Sequence, residues 1–339
     1  MGFKRRISGI IILLILVVGA SVLSLIAGEY DVSFRGIFGI IYFKLTGTNM
    51  GDFSQIHEII IWRLRLPRVL LAISAGLSLG VAGTAYQGCF RNPLVEPYIL
   101  GVSSGAAAGA ALSMVFPQVF PQGQLTAFLM ALAAVFISYS LATVRGQTPS
   151  IALVLSGIVI GALFSALVGI MKYLAADSQL REITFWMMGG LYYATWDDVQ
   201  LNMAVGLPVL AFLIYNGWKL NILTLGDEEA KSLGLNPQIS RLVIVIAATL
   251  AAAFCVSTCG IIAWVGLMIP HAARLILGPD HRWLVPGSAL LGAVYLLVCD
   301  TIARTLTSAE IPLGIVTSII GAPYLVWLLK VRGRAIYGH

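Results

Sequence analysis

The sequence predicts an all-α, polytopic membrane protein of about ten transmembrane helices. Three observations carry that prediction. Of the 339 residues, 59% are hydrophobic and 11% charged. The mean hydropathy is +0.92. The apolar residues fall in uninterrupted runs of about 17–25, the length that crosses a hydrocarbon core. A soluble domain of this composition would leave far too much apolar surface in water. The runs also lack period-two alternation, which argues against a transmembrane barrel.

The segments lie near 7–27, 66–86, 96–115, 124–144, 150–171, 199–217, 240–260, 262–277, 285–304 and 313–330. The first follows Lys4-Arg5-Arg6, and its run of about 20 apolar residues outlasts the core of a cleavable signal, so it reads as a retained helix. Glycines recur at four-residue spacing in the second (Gly76, Gly80), third (Gly101, Gly105, Gly109) and fifth (Gly157, Gly161). Such spacing lets helix backbones approach closely in lipid. The connections 28–65 and 172–198 are longer than needed and predict partly helical caps on the external face. The second of these carries Trp186, Tyr192, Tyr193 and Trp196, suited to an interface, and Gly189-Gly190, which permits a tight reversal. The eighth segment is short. The ninth carries Asp300 and Arg304 one turn apart, placed to pair. A faint internal echo links the stretch from Arg68 to Gly88, followed by Asn92-Pro93, with that from Arg241 to Gly260, followed by Ile269-Pro270-His271; transporters often carry such symmetry.

The net charge of +6 is spread over the loops and points to orientation rather than to nucleic acid. With both termini inside and ten crossings, the inner loops collect Lys4, Arg5, Arg6, Arg91, Arg145, Lys219, Lys231, Arg241, Arg274, Arg282, Lys330, Arg332 and Arg334, thirteen of the 21 basic residues. All four cysteines (Cys89, Cys255, Cys259, Cys299) lie in or beside predicted spans, and no disulfide framework follows. Cys255 and Cys259, one turn apart, read as small residues at a helix contact.

A polar island, Leu225 to Pro237, stands between long apolar runs. It predicts a short helix capped by Asp227, with Glu228 and Glu229 in its positive first turn and Gly234 and Pro237 closing it. Ala230 and Leu233, three apart, give that helix an apolar face pointing away from the bilayer, a handle for a soluble partner. The chain has no Gly-x-x-x-x-Gly-Lys-Ser/Thr phosphate loop; the dipeptide Gly-Lys is absent altogether. The histidines His57, His271, His281 and His339 show no metal-ligand spacing, and His271, after Pro270, reads as a helix-end cap. No Gly-x-Ser-x-Gly elbow occurs. No enzymatic activity, metal or cofactor is expected. Ion-coupled carriers place ionisable groups near the midplane, and apart from Asp300 and Arg304 the spans here have almost none. Uphill transport would then draw its energy from a separate ATPase, with an ion-coupled carrier and a membrane scaffold as the competing readings.

Arg65-Leu66-Pro67-Arg68, then Arg91-Asn92-Pro93-Leu94-Val95-Glu96-Pro97 and Leu100-Gly101, open a pattern that continues through Trp186-Met187-Met188-Gly189-Gly190 and Leu225-Gly226-Asp227-Glu228. It ends with Val265-Gly266-Leu267, Pro270-His271, Arg274, Asp280-His281-Arg282, Pro286, Asp300, Arg304, Glu310-Ile311-Pro312-Leu313-Gly314 and Gly321-Ala322-Pro323. In order and spacing, from about residue 60 to 330, this resembles the iron-siderophore, haem and vitamin B12 permeases of ATP-binding cassette (ABC) importers. The resemblance implies a type II importer permease fold filling the chain as one domain in a prokaryotic cytoplasmic membrane. It implies a homodimer working with two ATPase subunits and an external substrate-binding protein, with the path between the two copies. Gly226, Asp227, Glu228, Glu229, Ala230, Leu233 and Gly234, within about 219–239, match the family's coupling helix. Its docking arginines fall on Arg65, Arg68 and Arg304, and its cytoplasmic gate on Asn92, Leu94 and Ser150. The cargo implied is a ferric siderophore, haem or vitamin B12, with molybdate-type oxyanions as the alternative within the class.

Overall fold

The computed structural model describes residues 2–28, 30–48, 53–143, 148–307 and 309–336. Arg145, counted above for orientation, and His339 lie outside the described residues, among which all regular structure is helical. The chain opens with α1 (Phe3–Ile26), α2 (Phe34–Thr46) and α3 (Gln55–Glu58), which passes through a π-helical stretch, Ile59–Arg65, into α4 (Leu66–Phe90). A 3₁₀ turn, Pro97–Leu100, leads to α5 (Val102–Val115), α6 (Gly123–Ala142), α7 (Ser150–Leu174), α8 (Asp177–Met188) and α9 (Trp196–Tyr215). The remainder comprises α10 (Gly217–Leu225), α11 (Asp227–Ser232), α12 (Pro237–Cys259), α13 (Val265–Leu277), α14 (His281–Thr305) and α15 (Leu313–Ile336).

Each of the ten apolar segments holds a helix, and α2, α3 and α8 fill the two long connections. Among the described residues, seven stretches are long and apolar enough to cross a membrane: α1, the continuous run Gln55–Phe90, α6, α7, α9, α12 and α14. Helices α5 and α13, and the apolar part of α15 (Leu313–Leu328), are shorter. The expected segment 96–115 is cut back because Pro97 starts a 3₁₀ turn and Gly101 takes a positive φ of 87°, so its α-helix begins only at Val102. Trp264, also left-handed at φ 73°, delays the start of α13 in the same way.

The spine of the bundle is α4. From Ser78 to Phe90 every residue on it is buried, because α14, α12, α13 and α9 pack around it. Glycine makes the approach. A Cβ on Gly76 would stand 2.4 Å from the carbonyl oxygen of Gly292, and one on Gly292 would stand 2.2 Å from that of Gly76. Gly80 meets Ser288 O in the same way at 2.3 Å. On α5, Gly105 and Gly109 bring the backbone against Met130 O and Thr126 O of α6, and Gly157 seats α7 on Ile99 O. Gly161 has no comparably close neighbour. Helix α12 runs antiparallel to α4: Tyr86 Oη lies 2.6 Å from Thr249 Oγ1, and Arg241 at the start of α12 reaches Cys89 at the end of α4. Cys255 Sγ, 3.9 Å from Ala75 O, belongs to this helix contact.

At the end of the bundle where α4 begins, Arg68 Nε donates to both oxygens of Asp300 at 3.0 and 3.1 Å, and Arg68 Nη1 donates to Glu310 at 2.9 Å. Asp300 is 1% exposed. The expected pairing with Arg304 is loose, at 3.7 Å, because Arg304 spends its Nη donors on the backbone of α1. Arg68 is the main counter-charge. Two consequences can be measured as shifts in thermal stability of the detergent-solubilised protein. Gly76→Ala should cost about 1–3 kcal/mol by overpacking, whereas Gly169→Ala, with open space around it, should cost nothing. Asp300→Asn leaves a buried guanidinium short of its counter-charge and should cost about 3 kcal/mol.

Candidate gate, coupling segment and arginine cluster

Helix α4 stops because Arg91 takes the left-handed conformation (φ 52°, ψ 33°), which is uncommon for a residue with a side chain. The chain then leaves the bundle in a tight turn. Asn92 Oδ1 accepts from Leu94 N at 2.9 Å, the side-chain-to-backbone bond that makes asparagine a turn residue, and Val95 N donates to Asn92 O. Leu94 is left projecting and exposed. Opposite this loop, α7 begins at Ser150. Residues Phe90 to Leu94 face Ser150, Ile151, Val154, Leu155 and Ile158 across a groove of about 550 Å³. The structure therefore brings Asn92, Leu94 and Ser150 to one place. Its walls are mainly aliphatic, and Arg91 is the one cation among the described lining residues. Such a surface offers shape and little coordination chemistry.

The loop is held from behind by α13. His271 Nε2 lies 2.8 Å from Pro93 O, Gln87 Nε2 donates to Leu267 O, and Arg274 donates to Gln87 Oε1. This corrects the expectation for His271. It sits in the middle of α13, since Pro270 is accommodated inside the helix, and it tethers a loop rather than capping an end. The sequence signal was present: Pro93 and His271 both belong to the quoted pattern, without any indication that they touch.

The polar island folds as a hairpin of short helices. Gly226 (φ 143°, ψ 164°) breaks α10 from α11. Asp227 is the first residue of α11 and caps nothing, contrary to expectation. Its Oδ1 accepts from Arg241 Nη2 at 2.7 Å, and Arg91 Nη2 stands 3.8 Å away. The reason is Arg241, only 3% exposed, which requires a counter-charge more than the helix requires a cap. Ala230 and Leu233 do not form a common outward face. Ala230 is fully buried against the bundle and Leu233 is exposed, because α11 ends in a left-handed closure at Gly234 (φ 79°) with Leu235 N bonded to Ala230 O. Glu228 and Glu229 are the outward acids of the first turn, Glu228 paired with Lys231 at 2.8 Å. Asn236 Oδ1 then caps α12.

Beside this hairpin, Asp280 gathers three elements: Arg6 of α1 at 3.0 Å, Asn221 of α10 at 2.7 Å and Arg282 of α14 at 2.8 Å. The Arg282 guanidinium, with Asn221, holds the Asp280 carboxyl well below the usual carboxylate range. Its lowered value makes the contribution to stability complete above about pH 4, the ordinary value, and lost only as the pH falls below that.

The three arginines cluster at the opposite end, turned inward. Arg65, placed by the π-helical stretch, donates to Leu25 O, Ile26 O and Tyr30 O at 2.8, 3.0 and 2.7 Å. Arg304 donates to Ala27 O at 2.6 Å and to Ser24 O. Together they satisfy carbonyls that the C-terminus of α1 leaves unpaired, where a positive charge is also favoured by the helix dipole. Arg68 is engaged with Asp300 and Glu310 and lies over the Tyr192 ring. Nothing in the sequence marks this capping, because its acceptors are main-chain oxygens.

Three comparisons match this architecture. The chain is similar to the hemin transport system permease protein HmuU of Yersinia pestis, 39% identical over 328 residues, covering 94% of this chain and 93% of that protein. It is similar to the cobalamin import system permease protein BtuC of Halobacterium salinarum, 40% identical over 278 residues, covering 81% and 74%. A solved metal-chelate type ABC transporter in an inward-facing conformation superposes with a TM-score of 0.83 at 32% identity, covering 95% of this chain and 98% of that one. The sequence profile of the FecCD transport family matches residues 13–331, and the chain belongs to that family.

Proposed function

We infer that this chain is the membrane-spanning permease subunit of an ABC importer that moves a metal chelate or tetrapyrrole (ferric siderophore, haem or vitamin B12) into the cytoplasm. A separate ATPase supplies the energy. The observation that carries the reading is the shared position of gate and handle. The groove of Asn92, Leu94 and Ser150 and the island of Gly226 to Gly234 lie at one end of the bundle, joined by Asp227, while the arginine cluster lies at the other.

In this reading the whole chain is one transmembrane domain in a prokaryotic inner membrane, with both termini and the coupling segment, about 219–239, in the cytoplasm. Two ATPase subunits grip the coupling segments of two copies. The second copy completes the path across α7, whose Ile151, Leu155 and Ile158 stand exposed along the groove. A binding protein docks at the far end through Arg65, Arg68 and Arg304. Because those guanidinia already serve α1, Asp300 and Glu310, a docking acid competes with internal partners rather than meeting a free charge.

The aliphatic groove favours a bulky chelate over a molybdate-type oxyanion, which calls for converging donors. A selective filter belongs on the binding protein, since a mainly aliphatic path with Arg91 as its one described cation discriminates weakly. An ion-coupled carrier would instead place titratable groups in mid-membrane, whereas the acids paired with Arg68 sit near the end of α14.

Replacing both Glu228 and Glu229 with lysine should weaken co-purification of the ATPase by about tenfold or more, roughly 1.4 kcal/mol. Undiminished assembly would remove the island from the interface. Arg65→Glu and Arg304→Glu should each weaken docking of the binding protein, and wild-type docking should itself weaken as salt rises. Docking that tolerates both reversals at low salt would reassign the cluster to α1 alone.

A further inference from the structure

The gate loop has two anchors, and only one of them touches the coupling segment. On the α13 side, His271 holds Pro93 O. On the α12 side, Arg241 Nε donates to Cys89 O, the last turn of α4 before the loop, at 3.1 Å. The other end of the same guanidinium, Nη2, donates to Asp227 of α11 at 2.7 Å. One planar group thus spans from the coupling segment to the root of the gate. Arg91, the residue where the loop leaves α4, approaches the same Asp227 oxygen at 3.8 Å, and its Nη1 lies close to the Gly226 hinge.

We propose that Arg241 is the positioning residue that transmits movement of α11 to the gate loop, by tying the Asp227 carboxylate to the Cys89 carbonyl. This rests on the permease reading above and names the link that reading leaves open. The chemistry favours arginine for the task. Its donors are fixed in one plane, so a displacement of the carboxylate at one edge is passed to the carbonyl at the other. Lysine has a single flexible ammonium and cannot hold both acceptors in that geometry. Burial sharpens the effect. With the Arg241 side chain 3% exposed, a shift of α11 alone would leave a largely buried donor short of its acceptor.

The test uses the assembled complex of two permease copies with their ATPase subunits in nanodiscs. Leu94→Cys, in a chain whose four native cysteines are buried, carries a nitroxide in each copy, and the Leu94-to-Leu94 separation is measured by pulsed electron resonance with and without ATP analogue. Arg241→Gln should retain ATPase association and hydrolysis within about twofold while abolishing the nucleotide-driven change in separation. Arg241→Lys should reduce that change to about half or less, as expected for a coupling element weakened but not removed. A full change in both variants overturns the relay. So does a full change in Arg241→Lys where Arg241→Gln fails to fold, since that outcome makes the residue structural only. Failure of the wild-type complex to assemble, or to alter the separation with nucleotide, counts against the permease reading instead.

Discussion

Everything in this molecule depends on how closely α4 can approach its neighbours. In lipid no hydrophobic force drives one apolar helix against another, so association rests on short-range packing and on the few polar groups that meet inside. Gly76 against Gly292 and Gly80 against Ser288 bring the α4 and α14 backbones to a separation that any side chain would forbid. The same contact carries α4's two ends to fixed places. At one end Arg68 finds Asp300, and at the other the chain turns out at Arg91 into the groove. A looser crossing would leave Arg68 and Asp300 out of reach and would misplace the root of the gate loop. The ion pair and the Arg91–Leu94 loop are both downstream of glycine packing.

The polar groups are distributed to match. Arg65, Arg68 and Arg304 with Asp300 and Glu310 occupy one end; Arg6, Arg91, Arg241, Asp227 and Asp280 occupy the other. Between them the helices meet through glycines, alanines and aliphatic side chains. A buried charge is tolerated only when paired and hydrogen-bonded, and here each buried arginine is satisfied at two or more acceptors. The ends are therefore stiff joints on rods that are smooth in between. Packed helices of that kind shift as near-rigid bodies, and the joints are where a shift is felt.

How much of this was legible in the sequence follows from whether the signal was local. Apolar length located all ten segments, because a run of apolar residues is a local property. It overstated two of them, because Pro97 and Gly101 in one and Trp264 in the other cut the helix short through backbone conformation that hydropathy ignores. The glycine spacing at 76 and 80 identified a close contact but not its partners, Gly292 facing Gly76 and Ser288 facing Gly80, both more than 200 residues on. Asp227 looked like a cap because it precedes a short helix; a buried arginine fourteen residues later claimed it. Ala230 and Leu233 satisfied the i,i+3 rule and still diverged, since α11 ends at Ser232 and Leu233, past its end, stays exposed while Ala230 turns into the bundle. The resemblance marks Arg65 and Arg304 for docking, but the acceptors they hold here, carbonyls at the end of α1, carry no side-chain signature at all.

The energetic scale of the proposed gate is set by the same few contacts. Driving a two-state element from about 1:99 to 99:1 takes roughly 5.5 kcal/mol of differential interaction. A hydrogen bond to a charged group contributes about 1.5–3 kcal/mol. The bonds from Arg241 to Asp227 and Cys89 and from His271 to Pro93 together reach that scale, whereas an exposed pair such as Glu228 with Lys231 contributes about 1 kcal/mol at most. A loop held this way is neither free to drift open nor locked beyond the reach of a nucleotide-driven motor. Covering its apolar walls would favour closure, and the tethers resist displacement of the loop at its root. That is a reason for the gate to be a short loop with a strained left-handed residue at its root, gripped from α12 and α13, rather than a continuation of α4: a continuous helix would need its own ladder broken before it could move.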